Sequence, residues 1–274
     1  MKNKLSTVIL ILVFLIGLSL LLYPTVSSYL NSRVQSKAIA QYVETVDNLD
    51  DREKDELISA AREYNESLAS GYPSITKMTD EEWKLYSSLL DISGNGIMAY
   101  IDIPAIDCHL PIYHGTDDDI LQVAAGHIVN TSLPVGGAST HCVISGHRGL
   151  PSAVLFTNLD KLVTGDVFTV SVLGETLTYE IYDIKTVLPH EIDSLGIEEN
   201  QDLCTLVTCT PYGINTHRLC LMARRTENIN DLSQIRVVAE ASQISTLTVA
   251  GFIAVPLLII LLIIVLLPKK GSRS

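Results

Sequence analysis

Leu203-Cys204-Thr205-Leu206-Val207-Thr208-Cys209 and Arg218-Leu219-Cys220-Leu221-Met222-Ala223-Arg224 are two short apolar runs separated by residues 210–217. The connection holds Pro211, Gly213 and Asn215, residue types that suit a chain reversal. Paired antiparallel, the two runs bring Cys209 and Arg218 to the same end of a sheet. Upstream, Val143-Ile144-Ser145-Gly146-His147-Arg148-Gly149 reads as a strand running into a glycine-flanked histidine. A thiol, an imidazole and a guanidinium together suit acyl transfer. The thiol attacks a carbonyl, the imidazole handles protons, and the guanidinium stabilises the oxyanion.

Working outward, residues 97–103, 108–113, 141–144, 167–172 and 176–187 also read as strands, and Gly, Pro and Asn clusters separate most of them. Residues 117–125 read as a short helix. Many short strands with turn signals predict a mainly β fold, a closed or nearly closed barrel with short helical insertions. Ahead of it, Val34, Ala38, Tyr42, Val46 and Leu49, then Leu57, Ile58, Ala61 and Tyr64, recur at helical spacing, as one or two helices. Gly71-Tyr72-Pro73 breaks them. Thr79 and Glu82 form a capping box that opens a further short helix.

Both ends of the chain are apolar. Residues 5–23 and 244–268 carry no charge, and each is long enough to cross a bilayer as a helix. Lys2 and Lys4 flank the first stretch, and Lys269, Lys270 and Arg273 flank the second. Positive residues stay on the cytoplasmic side, so both termini are expected inside and the intervening section outside the cell membrane. A cleavable signal peptide is the other reading of the first stretch, but its apolar run is long and no small-residue cleavage site follows. The expected organisation is an anchor over 1–24, a helical extension over 25–92, the barrel domain over 93–240, a second membrane helix over 244–268 and a basic tail over 269–274.

All 31 acidic residues lie between the two apolar stretches, with 14 basic ones, a formal charge of −17. So acidic a surface excludes nucleic acid as a partner and argues against lying flat on anionic lipid. Five cysteines, at 108, 142, 204, 209 and 220, form no Cys-x-x-Cys pair, so no zinc site is expected. Cys142, Cys204 and Cys220 sit in or beside apolar runs and read as buried filler. Asp117-Asp118-Asp119 lacks a calcium-loop pattern, and acidic residues at a helix start need no metal. No cofactor is expected. His141 and His217 are rival bases to His147; strand alternation turns His217 away from Arg218.

Residues 97–225 resemble the sortases. The resemblance rests on Thr205-Leu206-Val207-Thr208-Cys209, on Arg218 nine positions later, and on Ser145-Gly146-His147-Arg148-Gly149. Longer runs at 110–116, 131–137, 145–153, 155–162 and 205–219 are similar to the class C, pilin-polymerising members in particular. The resemblance implies a sortase-like barrel with Cys209 as nucleophile, His147 as proton carrier and Arg218 as oxyanion partner. It implies cleavage of an LPxTG-like sorting signal after Thr through a Cys209 thioester. Transfer then goes to an amine: a pilin Lys for covalent pili, or a cell-wall amine for anchoring to peptidoglycan of a Gram-positive cell. A hydrolase using the same thiol is a further enzymatic alternative. A non-catalytic membrane-tethered scaffold is the alternative of another class. Many class C sortases also carry a lid with an Asp-Pro-aromatic triplet. Residues 74–83 occupy that place without one. Either Asp80 and Trp83 substitute, or Trp83 packs a short helix onto the barrel.

Overall fold

The structure, a computed structural model, describes residues 2–68, 78–191 and 195–228, with four further positions at 255, 256, 259 and 263. Most of the second apolar stretch, the break at Gly71-Tyr72-Pro73 and residues 74–77 therefore lie outside the described residues.

Eight strands close a barrel: β1 (Ile97–Ile103), β2 (Cys108–His114), β3 (Ala125–His127), β4 (Thr140–Ser145), β5 (Val167–Val172), β6 (Glu175–Val187), β7 (Asp202–Thr210) and β8 (His217–Thr226). Their order around the barrel is β1-β2-β3-β4-β7-β8-β6-β5. The expected mainly β, closed-barrel fold is thus the observed one. The 210–217 connection makes the expected antiparallel pair, and Cys209 sits directly opposite Arg218. β4 and β7, distant in sequence, pair in parallel from Thr140–Asp202 to Ser145–Val207.

The helix expected over 117–125 is only one turn, α4 (Asp118–Leu121). Ala125 instead opens β3, three residues pairing parallel with β2 and antiparallel with β4. A strand this short leaves no period in the sequence to read. It forms because Ile112, Tyr113 and His114 present an unpaired edge beside it.

Inside the barrel, Ile97, Ile101, Ile103, Ile112, Ile144, Phe156, Phe168, Leu206 and Leu221 are fully shielded from solvent. Burial of each such side chain contributes about 1.5–3 kcal/mol. Among the described residues, three helices precede the barrel: α1 (Lys2–Asp47), α2 (Asp51–Ser67) and α3 (Asp80–Ser88). α1 continues through Pro24, so the boundary drawn between 24 and 25 falls inside one helix. Its apolar part has a mean hydropathy of 2.6, is unburied, and is long enough to cross a membrane. α2 starts at a capping box between Asp50 and Glu53, and α3 at the expected one between Thr79 and Glu82. Such caps contribute about 1 kcal/mol each.

α3 is pinned by Tyr86. His127 donates from Nε2 to the Ser132 carbonyl (2.9 Å), which leaves Nδ1 to accept from the Tyr86 hydroxyl (2.8 Å). The same hydroxyl accepts from the Gly115 N–H (3.1 Å). Trp83 lies tilted against Tyr86, with ring centroids 5.5 Å apart and an interplanar angle of 50°, and a Cβ on Gly115 would lie 2.9 Å from its indole. Trp83 therefore packs the short helix onto the barrel.

Two buried histidines give the fold a pH dependence. His141 contacts the Gly196 carbonyl through Nδ1 (2.8 Å) and Thr205 Oγ1 through Nε2 (2.7 Å). His114 faces two carbonyls, of Gly96 (3.0 Å) and Leu89 (2.7 Å). Burial depresses the pKa of both, outweighing the carbonyls that favour protonation. The unfolded chain then takes up protons near its ordinary value of about 6.5 while the native state resists. Stability is full above that pH and is lost as pH falls through the depressed native values. Half-exposed His109, raised by its hydrogen bond to Asp102, has the opposite sign, and solvent screens it. The thermal midpoint is expected to fall by several degrees between pH 7.5 and 5.5, with a shallower slope in His141→Gln. An unchanged slope would remove His141 as a cause.

Candidate active site

β4 and β7 leave the barrel side by side at the same end. Ser145 and Val207 are the last paired residues of their ladder, and His147 and Cys209 each lie two positions beyond. Two bonds hold this junction: Gly146 N–H donates to the Val207 carbonyl (3.1 Å), and Thr208 Oγ1 donates to the Gly146 carbonyl (2.7 Å). Thr208 is almost wholly buried, so its hydroxyl has little alternative to that carbonyl. Gly146 is required sterically, because a Cβ there would come within 2.6 Å of the buried Phe156 ring. Phe156 N–H in turn donates to the His147 carbonyl (3.1 Å). The turn carrying His147 is thus tied both to β7 and to the loop that follows it.

Strand alternation decides which way the groups face. Cys204, Leu206 and Thr208 share one face of β7, and Leu206 belongs to the barrel core. Val207 belongs to a second, outer cluster with Val143, Cys220 and Leu195. Cys209 shares the face of Val207, and Arg218 that of Cys220. The outer cluster, covered by Leu195 of the β6–β7 connection, forms the floor beside which Cys209 and Arg218 meet. Cys209, His147 and Arg218 are each partly exposed. Arg218 Nη1 donates to the carbonyls of His217 (3.1 Å) and Asn215 (3.3 Å), within the β7–β8 connection. A guanidinium carries five N–H donors, so these two bonds orient it without exhausting it.

The rivals lie elsewhere. His141 is buried six residues before His147 along β4, roughly 20 Å at strand rise. His217 pairs opposite Thr210, on the other face from Arg218, and bonds Thr216 (2.9 Å). Trp83 contacts Gly115, beyond His114. His114 lines up through His127 and Ile144 with Leu206, on the far side of the Ser145–Val207 rung from Cys209. Among the described residues no group of His, Cys, Asp and Glu is arranged to hold a metal ion.

A further side chain holds the His147 turn in place. Arg148 follows His147 and bonds Asp160 through Nη2 and Thr210 Oγ1 through Nη1 (3.3 Å), while Tyr212 lies 5.9 Å from its guanidinium. Its side chain is only 10% exposed. Arg148 therefore clamps the His147 turn to the end of β7. No local pattern signals this, since its partners lie 12 and 62 residues away.

The other four cysteines are buried and all five are free. Burial raises the pKa of Cys108 and Cys204, and pushes Cys220 up to about 11. Brief iodoacetamide treatment of the native protein at pH 7.5 should therefore modify Cys209 first. Peptide mapping checks this, and equal labelling of all five would contradict the burial described.

A family model for the Sortase domain matches residues 101–226. In structure, the chain is similar to sortase C1 from Streptococcus agalactiae, with 47% identity, 70% of this chain and 100% of that chain covered, and a TM-score of 0.68. It is also similar to sortase C-1 from Actinomyces oris, with 46% identity, 64% and 99% covered, and a TM-score of 0.60. Sortase D of Bacillus subtilis is 28% identical over 137 residues, 50% of this chain and 66% of its own length. The match to sortase A of Streptococcus agalactiae is 28% over 117 residues, 42% and 47%. The chain thus spans between about half and two thirds of these two curated relatives.

Proposed function

The chain belongs to the sortase family of cysteine transpeptidases, and we propose that it is a membrane-anchored class C enzyme that joins pilin subunits. The observation that carries this reading is the convergence of Cys209, His147 and Arg218 at one end of the barrel, on three elements held by the β4–β7 and β7–β8 ladders. The likeness to sortases C1 of two organisms supports the class.

In this reading, Cys209 Sγ attacks the Thr carbonyl carbon of an LPxTG-like signal. The carbonyl oxygen gains charge and takes hydrogen bonds from Arg218. The C–N bond then breaks, His147 gives a proton to the departing amine, and a thioester remains on Cys209. A Lys amine of a second pilin subunit attacks that thioester and loses a proton to His147. An isopeptide bond forms and the thiol is restored. The apolar part of α1 supports membrane anchoring, and the basic residues flanking the two apolar stretches favour a topology with the barrel on the outer face. A scaffold without activity leaves the convergence of thiol, imidazole and guanidinium unexplained.

The test incubates the full chain in vesicles with an LPxTG-type peptide and a pilin, and follows the products by mass spectrometry. A thioester on Cys209 and a Lys-linked product are expected, with both lost in Cys209→Ala. His147→Ala and Arg218→Ala should each lose roughly 100-fold or more in rate, the scale of removing a proton carrier or an oxyanion donor. Resolution of the thioester only by a peptidoglycan-like amine would make the protein an anchoring sortase, and only by water a hydrolase. Failure to form any adduct with a panel of sorting peptides would overturn the enzymatic reading.

Arg148 supplies a separate prediction. Arg148→Ala should lower the rate roughly 10- to 100-fold, the range expected when a reacting group is displaced by about an ångström. The loss should fall mainly on kcat, because Arg148 orients the His147 turn through Asp160 and Thr210. A loss confined to KM would instead make Arg148 a substrate contact.

A further inference from the structure

Four of the five cysteines are buried, and two of them meet. Cys142 on β4 and Cys204 on β7 are direct partners across the parallel ladder. In-register partners on neighbouring strands point to the same side of a sheet. Here that side is the barrel interior: both residues belong to the main core, as do Ile144 and Leu206 two positions along each strand. Cys142 is 3% exposed and Cys204 is wholly buried. The two thiols hydrogen-bond to each other, so their sulfurs are already close.

Among the five cysteines no other pair has this relation. Cys209 stands opposite Arg218, and Cys220 opposite Val207. Cys209 and Cys220 share the outer face of one antiparallel pair but sit diagonally, about 7–8 Å apart. That is beyond a disulfide, whose Cα atoms lie about 4.4–6.8 Å apart. Cys108 turns its thiol to the Leu155 carbonyl (3.8 Å). Neighbouring strands run about 4.8 Å apart, which puts Cys142 and Cys204 inside the disulfide range. Their Cβ atoms have to approach by roughly half an ångström for an S–S bond, and a bond formed under such strain is readily reduced again.

The two thiols differ in the way that thiol–disulfide exchange uses. Burial works to raise the Cys142 thiol, but its hydrogen bonds with Cys204 and His127 outweigh that and hold it below its ordinary value. Burial raises Cys204, and Cys142 beside it raises it further. One sulfur is the readier thiolate and the other keeps its proton. The acidic section that holds both is expected outside the membrane, where disulfide donors are found.

We propose that Cys142 and Cys204 are a redox pair, which a disulfide donor outside the cell closes into a reversible bond stapling β4 to β7. The Cys142 thiolate attacks one sulfur of the donor. The donor's S–S bond breaks, and its first thiol leaves with the proton that Cys142 gave up. Cys204 then attacks the Cys142 sulfur of the mixed disulfide, and the second donor thiol leaves with the Cys204 proton. Two thiols of the chain are oxidised, and one donor disulfide is reduced to two thiols. Because both sulfurs are buried, exchange proceeds through local opening of the barrel. The staple lies three rungs from Ser145–Val207, the last pair before His147 and Cys209. It closes the loop from 142 to 204, which carries β5 and β6, and so restricts the unfolded chain while leaving Cys209 free. The bond does not depend on the activity proposed above.

The full chain in detergent micelles is held with oxidised glutathione at pH 8, a few degrees below its thermal midpoint, so that the barrel opens locally while staying folded. Free thiols are then blocked with N-ethylmaleimide in denaturant, and the disulfides are mapped by mass spectrometry after proteolysis. A Cys142–Cys204 cross-link is expected as the main product, reversed by dithiothreitol. The thermal midpoint of the oxidised protein should rise by about 5–10 °C, the scale for a disulfide that closes a long loop in a domain of this size. Cys204→Ala should lose that rise. Should this variant fail to fold, the cross-link map of the unaltered chain decides alone. Glutathione held only on Cys209, with Cys142 and Cys204 both blocked by maleimide, overturns the pair. So does a disulfide that joins Cys209 to Cys220. A Cys142–Cys204 cross-link that leaves the midpoint unchanged overturns the staple.

Discussion

The parallel ladder between β4 and β7 is the constraint on which the site depends. It aligns two strands some sixty residues apart in sequence and ends their pairing at Ser145–Val207, so that the residues just past that last pair become neighbours. Thr208 then closes the junction by donating to the Gly146 carbonyl. Without that bond, a buried hydroxyl and a carbonyl at the edge of the core would both lack partners, a cost of about 1–3 kcal/mol for each group. The turn bearing His147 is therefore fixed by polar satisfaction as much as by packing. Arg148 and the Phe156 ring over Gly146 complete the support from the outer and inner sides.

The chemistry sits on the outer surface of a barrel whose interior is full. Leu206, Leu219 and Leu221 occupy the inner face, while alternate residues of the same strands build a small apolar floor under Leu195. Cys209 and Arg218 extend that outer face to the rim. Cys209 is partly exposed at that rim, while Cys108, Cys142 and Cys204 lie in the core and Cys220 is buried in the outer floor. Cys142 and Cys204, direct partners across the parallel ladder, fill space in the interior beside His127 and Tyr179.

The helices ahead of the barrel do two different jobs. α3 brings Tyr86 into a buried network with His127 and Gly115, and Trp83 covers Gly115 on the side of the barrel away from Cys209. α1 binds the barrel through backbone carbonyls, each met by a long or amide side chain: Asn31 to Ser152, Gln35 to Val123 and Tyr42 to Met98. Such contacts set the helix's height on the barrel wall, since each carbonyl belongs to one residue only. One helix thus carries both an unburied apolar part at one end and, further along, the three contacts that hold the barrel.

Local pattern was enough for a good part of this protein. The capping box at Thr79, the antiparallel pairing that sets Cys209 opposite Arg218, and the barrel class all follow from short-range physics: side-chain capping, chain reversal and strand alternation. The residue types at 147, 209 and 218 likewise pointed to acyl transfer before any coordinate. Contacts between segments far apart could not be read in this way. β3 is three residues long and exists because its neighbours offer an edge, so the sequence suggested a longer helix there. The clamp made by Arg148, the seating of Trp83 on Gly115 and the seating of α1 on the barrel depend on partners tens of residues away or more. Periodicity and turn chemistry carry no information about such partners; only closure of the barrel decides which carbonyl, ring or strand edge each side chain meets.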